Sequence, residues 1–215
     1  MASKSRLDTL LVSRGLAENR TRAQALILSG VVFSKGSRLD KPGHQISEET
    51  VINVKKRKRR WVSRGGEKLD HALNYFDLSV NGLNCLDIGS STGGFTDVLI
   101  QRGAAHVDSV DVGRGQLDWN LRNNERVSVL EGINARYLTR DQINIEPNVV
   151  VCDTSFIGLR TVLPAALNLA QESAFLVALI KPQFEVGKGR VGKGGIVRDT
   201  DLHLAVCRNI EQWLV

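Results

Sequence analysis

A short apolar run that leads into a glycine-rich loop and then into a helical segment limits the fold of this chain more than any other feature. Residues 85–88 have the pattern of a buried strand, residues 89–95 (GSSTGGF) form the loop, and residues 96–101 have a helical pattern. Further apolar strands are predicted at 107–112, 149–153 and 174–180. Alternation of strands and helices is typical of a mostly parallel sheet with helices on both faces. The sequence therefore predicts an α/β fold for this part of the chain.

The glycine spacing and a later carboxylate indicate which ligand the loop binds. The loop has a G-x-x-x-G-G pattern, whereas dinucleotide sites use G-x-G-x-x-G to hold a pyrophosphate. Asp111 ends the next strand and can accept both hydroxyl protons of a ribose, although a carboxylate that only caps a turn has the same position. A nucleoside without a pyrophosphate fits best, and S-adenosylmethionine is the common one. The predicted cofactor contacts are Asp87, Gly89, Ser90, Gly93, Gly94 and Asp111.

Two further polar residues follow apolar strands. Asp153 ends the strand at 149–153, and Lys181 follows the strand at 174–180. Because ligands of open α/β sheets bind at the carboxyl ends of the strands, we expect both residues to converge with Asp87 and Asp111 on one crevice. A lysine beside a carboxylate suits the activation of a weakly acidic hydroxyl such as a ribose 2′-hydroxyl. Taken singly, Asp153 could be a helix cap and Lys181 a surface charge.

Basic residues are concentrated at the start of the chain. Residues 1–60 contain 14 Lys and Arg against 5 Asp and Glu, or +9, while residues 61–215 contain 15 against 18, or −3, and the two give the net charge of +6. We therefore expect two domains, at 1–60 and 67–215, joined by a linker at 61–66. The positive charge of the first favours a polyanionic partner.

The basic segment has the pattern of a small α+β domain. Apolar residues at helical spacing predict helices around 7–11 and 23–27, with Asn19 as the N-cap of the second and Gly30 at its end. The remaining elements are strands at 31–33 and 51–54 and a turn at 34–42. Basic side chains expected to contact phosphates are Arg14, Arg20, Arg22, Lys35 and Arg38. Few aromatic residues lie among them, which favours recognition of folded RNA by shape.

Several classes of protein do not fit the composition. No apolar run approaches the roughly 20 residues of a membrane span, and the N-terminus lacks the apolar core of a signal peptide. The three cysteines are widely spaced and form no CxxC pair, which fits a reducing cytoplasm. The four histidines lack metal-ligand spacing. We expect a cytoplasmic monomer or weak dimer that binds no metal.

The start of the chain resembles the RNA-binding module of small-subunit ribosomal protein four, the S-four fold. The residues that carry this resemblance are 6–11, 15–17, 20–25, 30–32, 43 and 46. The resemblance implies that the basic face of two helices sits on structured RNA. It adds Arg6 to the expected RNA contacts.

The whole chain resembles the TlyA family, also called hemolysin A, in which an S-four module precedes an FtsJ-like ribose 2′-O-methyltransferase. The matching stretches are WVSRGGEKL at 61–69, LDIGSSTGGFT at 86–96, VDVGRGQL at 110–117, CDTSF at 152–156 and KPQFEVGKGRVGKGGIV at 181–197. The resemblance implies a Rossmann-like fold that binds S-adenosylmethionine and methylates ribosomal RNA, with cytidine as the expected nucleoside. The implied residues are Lys68, Asp153 and Lys181 for catalysis, Phe95 and Asn134 for the cofactor, and Arg59 and Trp61 in the interdomain linker.

One part of the family's pattern has no match in the sequence. The family's last catalytic glutamate lies in a C-terminal strand, with a hairpin after the last helix, whereas this chain stops at Val215 just after a helical pattern. Neither Glu185 nor Glu211 matches that glutamate. We therefore expect a sheet without its closing edge strands, and reduced turnover. Two alternatives stay open: an RNA-binding protein whose methyltransferase domain is catalytically impaired, and a membrane-active hemolysin.

Overall fold

The computed structural model describes residues 3–55 and 60–214 and divides the chain into two compact units, Met1–Arg59 and Arg60–Val215. We call them the N-terminal unit and the C-terminal unit. Within the described ranges, no helix is both long enough and apolar enough to cross a membrane.

The described residues of the N-terminal unit form two helices and five very short strands. In chain order these are β1 (Lys4–Arg6), α1 (Leu7–Ser13), α2 (Arg20–Leu28), β2 (Val32–Ser34), β3 (Ser37–Arg38), β4 (Gln45–Ser47) and β5 (Asn53–Val54). β1 pairs antiparallel with β4, and β2 lies between β3 and β5. Both predicted helices are confirmed, whereas β1 and β4 are too short to show an alternating pattern and were not predicted.

Local signals place the ends of α2 where the sequence predicts them. The Asn19 side chain accepts a hydrogen bond from the Arg22 backbone amide at 2.9 Å, as an N-cap does. Gly30 follows the helix with φ +73°, a conformation that glycine adopts without strain. The predicted turn at 34–42 contains β3 instead. Lys35 and Gly36 both have positive φ and form the two-residue loop that pairs β3 with β2.

The C-terminal unit alternates strands and helices. In chain order these are α3 (Gly65–Tyr75), β6 (Asn84–Ile88), α4 (Gly94–Gln101), β7 (His106–Asp111), α5 (Trp119–Arg122), β8 (Val127–Glu131), β9 (Val149–Cys152), α6 (Leu159–Asn168), β10 (Phe175–Ala178), α7 (Pro182–Glu185) and α8 (Thr200–Leu214). Short 3₁₀ turns lie at Ala135–Tyr137, Arg140–Gln142 and Lys188–Arg190.

The described strands of this unit form one parallel sheet in the order β10-β9-β6-β7-β8. The predicted parallel sheet is confirmed, and β8 is an addition to it. Ile88, at the end of β6, lies opposite Val110 on one side and Cys152 on the other, so the carboxyl ends of the central strands meet at one edge. Polar residues that follow these strands therefore come close together.

Helices cover both faces of the sheet, as predicted. Alternate residues of β9 show this directly, because Val149 and Val151 pack into one apolar cluster and Val150 and Cys152 into the other. The first cluster includes side chains of α3 and α4, and the second includes those of α6 and α8. The sheet is thus buried on both sides and offers its edges to ligands.

Candidate active site

A lysine–aspartate–lysine cluster lies at the carboxyl edge of the parallel sheet. Lys68 Nζ is 3.0 Å from Asp153 Oδ2, and Lys181 Nζ is 2.6 Å from Asp153 Oδ1. Asp153 follows β9, Lys181 immediately precedes α7, and Lys68 lies in the first turn of α3. The structure therefore brings together the three residues that the family resemblance assigns to catalysis.

Close packing at the start of α3 brings Lys68 to this edge. A Cβ atom on Gly66 would lie 2.6 Å from Trp61 Cβ and 2.9 Å from the carbonyl oxygen of Gly94, so only glycine fits there. Gly94 begins α4, and a Cβ atom on it would likewise collide with Ser63 Oγ. Because two glycines let the first turns of α3 and α4 touch, Lys68 lies beside the sheet edge and reaches Asp153.

The two lysines have different surroundings. Besides its ion pair with the Asp153 carboxylate, Lys181 Nζ donates to the Asp153 carbonyl oxygen at 3.3 Å and to Ser155 Oγ at 3.1 Å. The Lys181 side chain is 19% exposed, against 49% for Lys68. Within residues 3–55 and 60–214, Asp153 is the one polar partner of the Lys68 ammonium. The Lys181 ammonium is therefore fixed in direction, while Lys68 keeps N–H groups for a ligand.

A polar cavity of about 290 Å³ surrounds the lysine–aspartate–lysine cluster. We call it the lysine cavity. It is lined by Ser63, Gly65, Lys68, Gly89, Ser90, Ser91, Thr92, Gly94, Phe95, Asp153, Ser155 and Lys181. Four of the predicted cofactor contacts are in this list, namely Gly89, Ser90, Gly94 and Phe95.

A second cavity of about 420 Å³ adjoins the first, since Gly89, Ser91, Asp153 and Ser155 line both. We call it the apolar cavity. Its other lining residues are Val110, Asp111, Val112, Gln116, Ile133, Asn134, Ala135, Thr154, Phe156, Ile157 and Val162. Aliphatic side chains with a few polar groups at defined positions are typical of a small-molecule site.

Asp111 is held rigidly at the wall of the apolar cavity. Its Oδ2 accepts a hydrogen bond from the Ser91 amide at 2.8 Å, and its Oδ1 accepts one from the Gly113 amide at 2.7 Å. Each carboxylate oxygen keeps a lone pair for a ligand hydroxyl. Asn134 lies in the same lining, and its side chain accepts a hydrogen bond from the Arg136 amide at 3.1 Å. The arrangement can hold a ribose at Asp111 with a base among the aliphatic side chains.

Two glycines of the loop, Gly89 and Gly93, are required by different contacts. Gly89 has φ +82°, and a Cβ atom there would lie 2.9 Å from Thr154 Cγ2, so Gly89 permits a close approach beside both cavities. Gly93 has φ +93° and precedes α4, but its missing Cβ faces Leu117 and Leu121. Gly93 therefore shapes the loop by packing, and among the described residues it is not part of either cavity lining.

Asp87 does not join the crevice that the sequence predicts for it. The residue is 0% exposed, and its Oδ2 accepts a hydrogen bond from Thr96 Oγ1 at 2.6 Å. Its other oxygen, Oδ1, is buried and has no hydrogen-bond partner within the described residues. Burial raises the pKa of Asp87 to about 7, and the nearby carboxylates of Asp153 and Asp111 add to the effect. Side chains of a strand alternate between the two faces of the sheet, and Asp87 lies on the face covered by α3 and α4, where Thr96 of α4 bonds it.

Several basic residues predicted to contact RNA have partners inside the N-terminal unit. Arg6 and Arg20 both pair with the buried carboxylate of Asp8, at 2.9 and 3.0 Å. Arg14 donates to the carbonyl oxygens of Thr50, at 2.6 Å, and of Glu48. These contacts organise the fold, and they leave part of each guanidinium at the surface.

The remaining basic residues of that prediction are exposed. Arg22 and Lys35 lie at the start of α2 and in the β2–β3 loop. Arg38 lies against Gly30, where a Cβ atom would collide with its guanidinium. Of the two linker residues, Arg59 lies outside the described residues. Trp61 is only 4% exposed and packs into the apolar core of the C-terminal unit.

Some residues at the site carry no sequence signal that predicts their role. Ser63 and Ser155 line the lysine cavity, and Ser155 Oγ accepts a hydrogen bond from Lys181. Their position depends on packing between distant segments, and single serines are common in turns. Glu185, which follows Lys181 in the KPQFE stretch, accepts a hydrogen bond from the Leu159 amide at 2.8 Å and so holds the start of α6. No group of three or more His, Cys, Asp or Glu side chains suited to a metal occurs among the described residues.

Family models match the two units of the structure separately. Residues 61–215 match the model of the FtsJ-like methyltransferase family, and residues 5–52 match the S4 domain. The first match covers the lysine cavity, the apolar cavity and the whole parallel sheet.

Individual relatives match almost the full chain. The 16S/23S rRNA (cytidine-2′-O)-methyltransferase TlyA of Mycobacterium tuberculosis is 51% identical over 217 residues, which cover 99% of this chain and 81% of that protein. Hemolysin A of Brachyspira hyodysenteriae is 43% identical and covers 95% of this chain and 85% of its own length. A solved structure from Streptococcus thermophilus that carries the name hemolysin has a TM-score of 0.74 at 42% identity, with coverage of 99% and 78%.

Proposed function

This chain belongs to the TlyA family of FtsJ-like methyltransferases, and on that premise we propose that it transfers a methyl group from S-adenosylmethionine to a ribose 2′-hydroxyl of ribosomal RNA, with cytidine as the target nucleoside. The observation that carries the proposal is the Lys68–Asp153–Lys181 cluster in the lysine cavity, whose Asp153 also lines the adjoining apolar cavity. One cavity suits a hydroxyl nucleophile, and the other suits a nucleoside.

The apolar cavity fits the adenosine part of the cofactor. Asp111 has one free lone pair on each oxygen for the two ribose hydroxyls, and Asn134 lies with Ile133 and Ala135 where the adenine would bind. When bound, S-adenosylmethionine supplies an electrophilic methyl group on a positively charged sulfur. The residues of this cavity serve to bind and orient it.

The lysines make the hydroxyl a better nucleophile. A ribose 2′-hydroxyl is almost entirely un-ionised at neutral pH, and a nearby positive charge lowers its pKa. Lys68 donates to the hydroxyl oxygen with the N–H groups that Asp153 leaves free, while Lys181 supplies a second, fixed positive charge. Asp153 holds both ammonium groups in place. As the bond from oxygen to the methyl group forms and the sulfur–methyl bond breaks, the hydroxyl proton leaves to solvent beside the half-exposed Lys68 side chain. Charge placed in advance stabilises the negative charge that develops on the oxygen without reorganisation during the reaction.

The N-terminal unit serves to dock the enzyme on structured RNA. It matches the S4 domain, and residues 1–60 carry a net charge of +9 whereas residues 61–215 carry −3. Arg22, Lys35 and Arg38 are exposed on it and are available for phosphate contacts. The partner is therefore ribosomal RNA, alone or in a ribosomal subunit, and the reaction takes place in the cytoplasm.

Methyl transfer to purified ribosomal subunits tests the proposal. We expect the wild-type chain to produce a 2′-O-methylated nucleoside in the RNA hydrolysate, and Lys181→Ala to lower the rate by about 10²- to 10⁴-fold with cofactor binding retained. Cofactor binding by the wild-type chain with no methylated ribose would favour an RNA-binding protein without turnover. Dye release from liposomes by the purified chain would favour the membrane-active alternative.

A further inference from the structure

A third cavity lies in the glycine-rich loop between α7 and α8. It has a volume of about 290 Å³ and is lined by Arg190, Gly192, Lys193, Ile196, Val197, Arg198 and Asp199. We call it the loop cavity. We propose that the loop cavity binds a phosphate group of the RNA backbone, and this inference rests on the proposed function.

The loop is strongly basic within an acidic unit. Residues 187–199 contain four Lys and Arg and one Asp, or +3, whereas residues 61–215 as a whole carry 15 against 18, or −3. A concave surface with one sign of charge raises the local concentration of an oppositely charged ligand. The loop at 187–199 is therefore a segment of the C-terminal unit that attracts a polyanion.

The cations of the loop cavity have no carboxylate partner in the part of the chain that the structure describes. Within residues 3–55 and 60–214, no ion pair involves Arg190, Lys193 or Arg198. The carboxylate of Asp199 instead accepts hydrogen bonds from the amides of Asp201, at 2.9 Å, and Leu202, at 3.3 Å, at the start of α8. Two guanidinium groups that are free of partners match the geometry of phosphate oxygens.

Backbone contacts hold the loop in shape. The Gly192 amide donates to the Ile196 carbonyl oxygen at 3.1 Å, and the Gly195 amide donates back to Gly192 at 3.1 Å. Val197 is 7% exposed, and its carbonyl oxygen accepts a hydrogen bond from His203 Nε2 of α8 at 2.8 Å. A loop that is already ordered loses less conformational entropy when it binds a ligand.

The position of the loop in the chain links the cavity to the reaction site. Arg190 follows Lys181 by only nine residues (190 − 181). Nine residues span at most about 30 Å. An RNA strand that presents a ribose to Lys68 and Lys181 therefore has other phosphates within reach of the loop cavity. A phosphate bound there would fix the position of the strand along its length.

RNA binding at several salt concentrations tests this assignment. The test variants are Arg198→Gln and Arg190→Gln/Arg198→Gln, and the control matched to Arg198→Gln is Arg208→Gln, which removes one exposed guanidinium from α8 outside the cavity. We expect the double variant to bind an rRNA fragment more weakly, with a slope of log K against log salt that is shallower by about 0.7 to 0.9 per lost phosphate contact. Arg198→Gln alone should show the same change at smaller size, and it keeps the test available if the double variant does not fold.

Three outcomes decide the matter. Affinity and salt slope equal to those of Arg208→Gln would overturn the proposal. Loss of inorganic phosphate binding in the double variant, with RNA affinity unchanged, would show that the cavity binds a free anion and would also overturn it. The wild-type chain could also methylate no RNA while its salt slope is still steeper than that of the double variant. This result would support RNA binding at the loop cavity and would contradict only the proposed function.

Discussion

The Asp8 cluster of the N-terminal unit and the Asp153 cluster of the C-terminal unit both hold a carboxylate between two cationic side chains, but the Asp8 carboxylate is closed to solvent and the Asp153 carboxylate is open to it. In the N-terminal unit, Asp8 Oδ2 lies 2.9 Å from Arg6 and 3.0 Å from Arg20, and the same carboxylate accepts hydrogen bonds from Gln24 and Thr9. Asp8 is 0% exposed. Its partners, with the Arg6 hydrogen bond as the largest cause, hold the pKa of this carboxyl well below its usual range.

The Asp153 cluster, which is open to solvent, has lysines where the Asp8 cluster has arginines. The Asp153 side chain is 17% exposed and lines two cavities, and Lys68 is half exposed. A guanidinium is always protonated and forms a planar pair with a carboxylate, whereas an ammonium is a compact charge that can also act on a ligand. Nearly the same charge pattern therefore stabilises the fold in one unit and prepares a reaction in the other.

Exchange of lysine and arginine should show the largest difference between the two clusters, measured as the rate of methyl transfer. Lys181→Arg and Lys68→Arg keep the charge but replace the compact donor, and we expect methyl transfer to fall about 100-fold or more with cofactor binding retained. Arg6→Lys in the closed cluster is the matched exchange, and we expect it to leave the rate of methyl transfer nearly unchanged. An equal loss of methyl-transfer rate from substitutions in both clusters would contradict the view that only the Asp153 cluster takes part in the reaction.

Asp87 is a buried carboxylate without a cationic partner among the described residues. Its effect on stability should change with pH in the opposite direction to that of Asp8. The pKa of Asp87 is raised to about 7 by burial, so the folded state keeps a proton that the unfolded state releases above about pH 4. Stability of the C-terminal unit should therefore fall as the pH rises from about 4 to 7, by at most about 1.4 kcal/mol per pH unit, and level off above 7.

Asp87→Asn, which is uncharged at every pH, provides the control for this effect. Calorimetric melting temperatures of the wild type should decline across that pH range, while those of Asp87→Asn should stay flatter. The prediction is wrong if both proteins have the same profile.

Removal of the charge at Asp8 should destabilise the N-terminal unit. Asp8→Asn leaves two guanidinium groups without their carboxylate, and we expect a loss of about 1–2 kcal/mol because both arginines are partly exposed and screened by solvent. Since the pKa of Asp8 is lowered by folding, its contribution is present above about pH 4 and is lost as the pH falls below that value. Chemical denaturation at pH 7 and pH 3 measures both effects, with the exposed Asp40→Asn as the control.

The smallest expected effect concerns Ser155. Its hydroxyl accepts a hydrogen bond from Lys181 at 3.1 Å and so helps to direct the ammonium. Ser155→Ala should lower kcat of methyl transfer a few-fold and shift its pH profile, since about 1 kcal/mol is lost with one hydrogen bond. Ser155→Thr keeps the hydroxyl and should restore the rate. A change in KM alone would indicate that Ser155 only contacts substrate.

Much of the fold follows from local patterns in the sequence. The apolar strands, the glycine loop, the N-cap at Asn19 and the end of α2 at Gly30 all lie where their residues predict them. The three-residue strands β1 and β4 have no such pattern and form because each is the antiparallel partner of the other. The charge difference between the units is likewise a property of the sequence.

The candidate site was only partly predictable. Asp111, Asp153 and Lys181 follow apolar strands, and parallel strands end at one edge, so their convergence could be expected. Lys68 stands 85 residues before Asp153, and nothing in its neighbourhood distinguishes it from an exposed helical lysine. Ser155 was not predicted at all, because its role depends on a partner from another strand end.

The sequence by itself determined the order of the elements, the turn at the glycine loop and the place of the positive charge, because each depends on neighbouring residues and backbone conformation. Tertiary structure alone decided which charges meet: it buried Asp87 between the sheet and α4, paired Arg6 and Arg20 with Asp8, and brought Lys68 to Asp153 through close packing at two glycines. The physical reason is that an ionic contact depends on the distance between two side chains in space, and that distance is set by the packing of elements far apart in the chain.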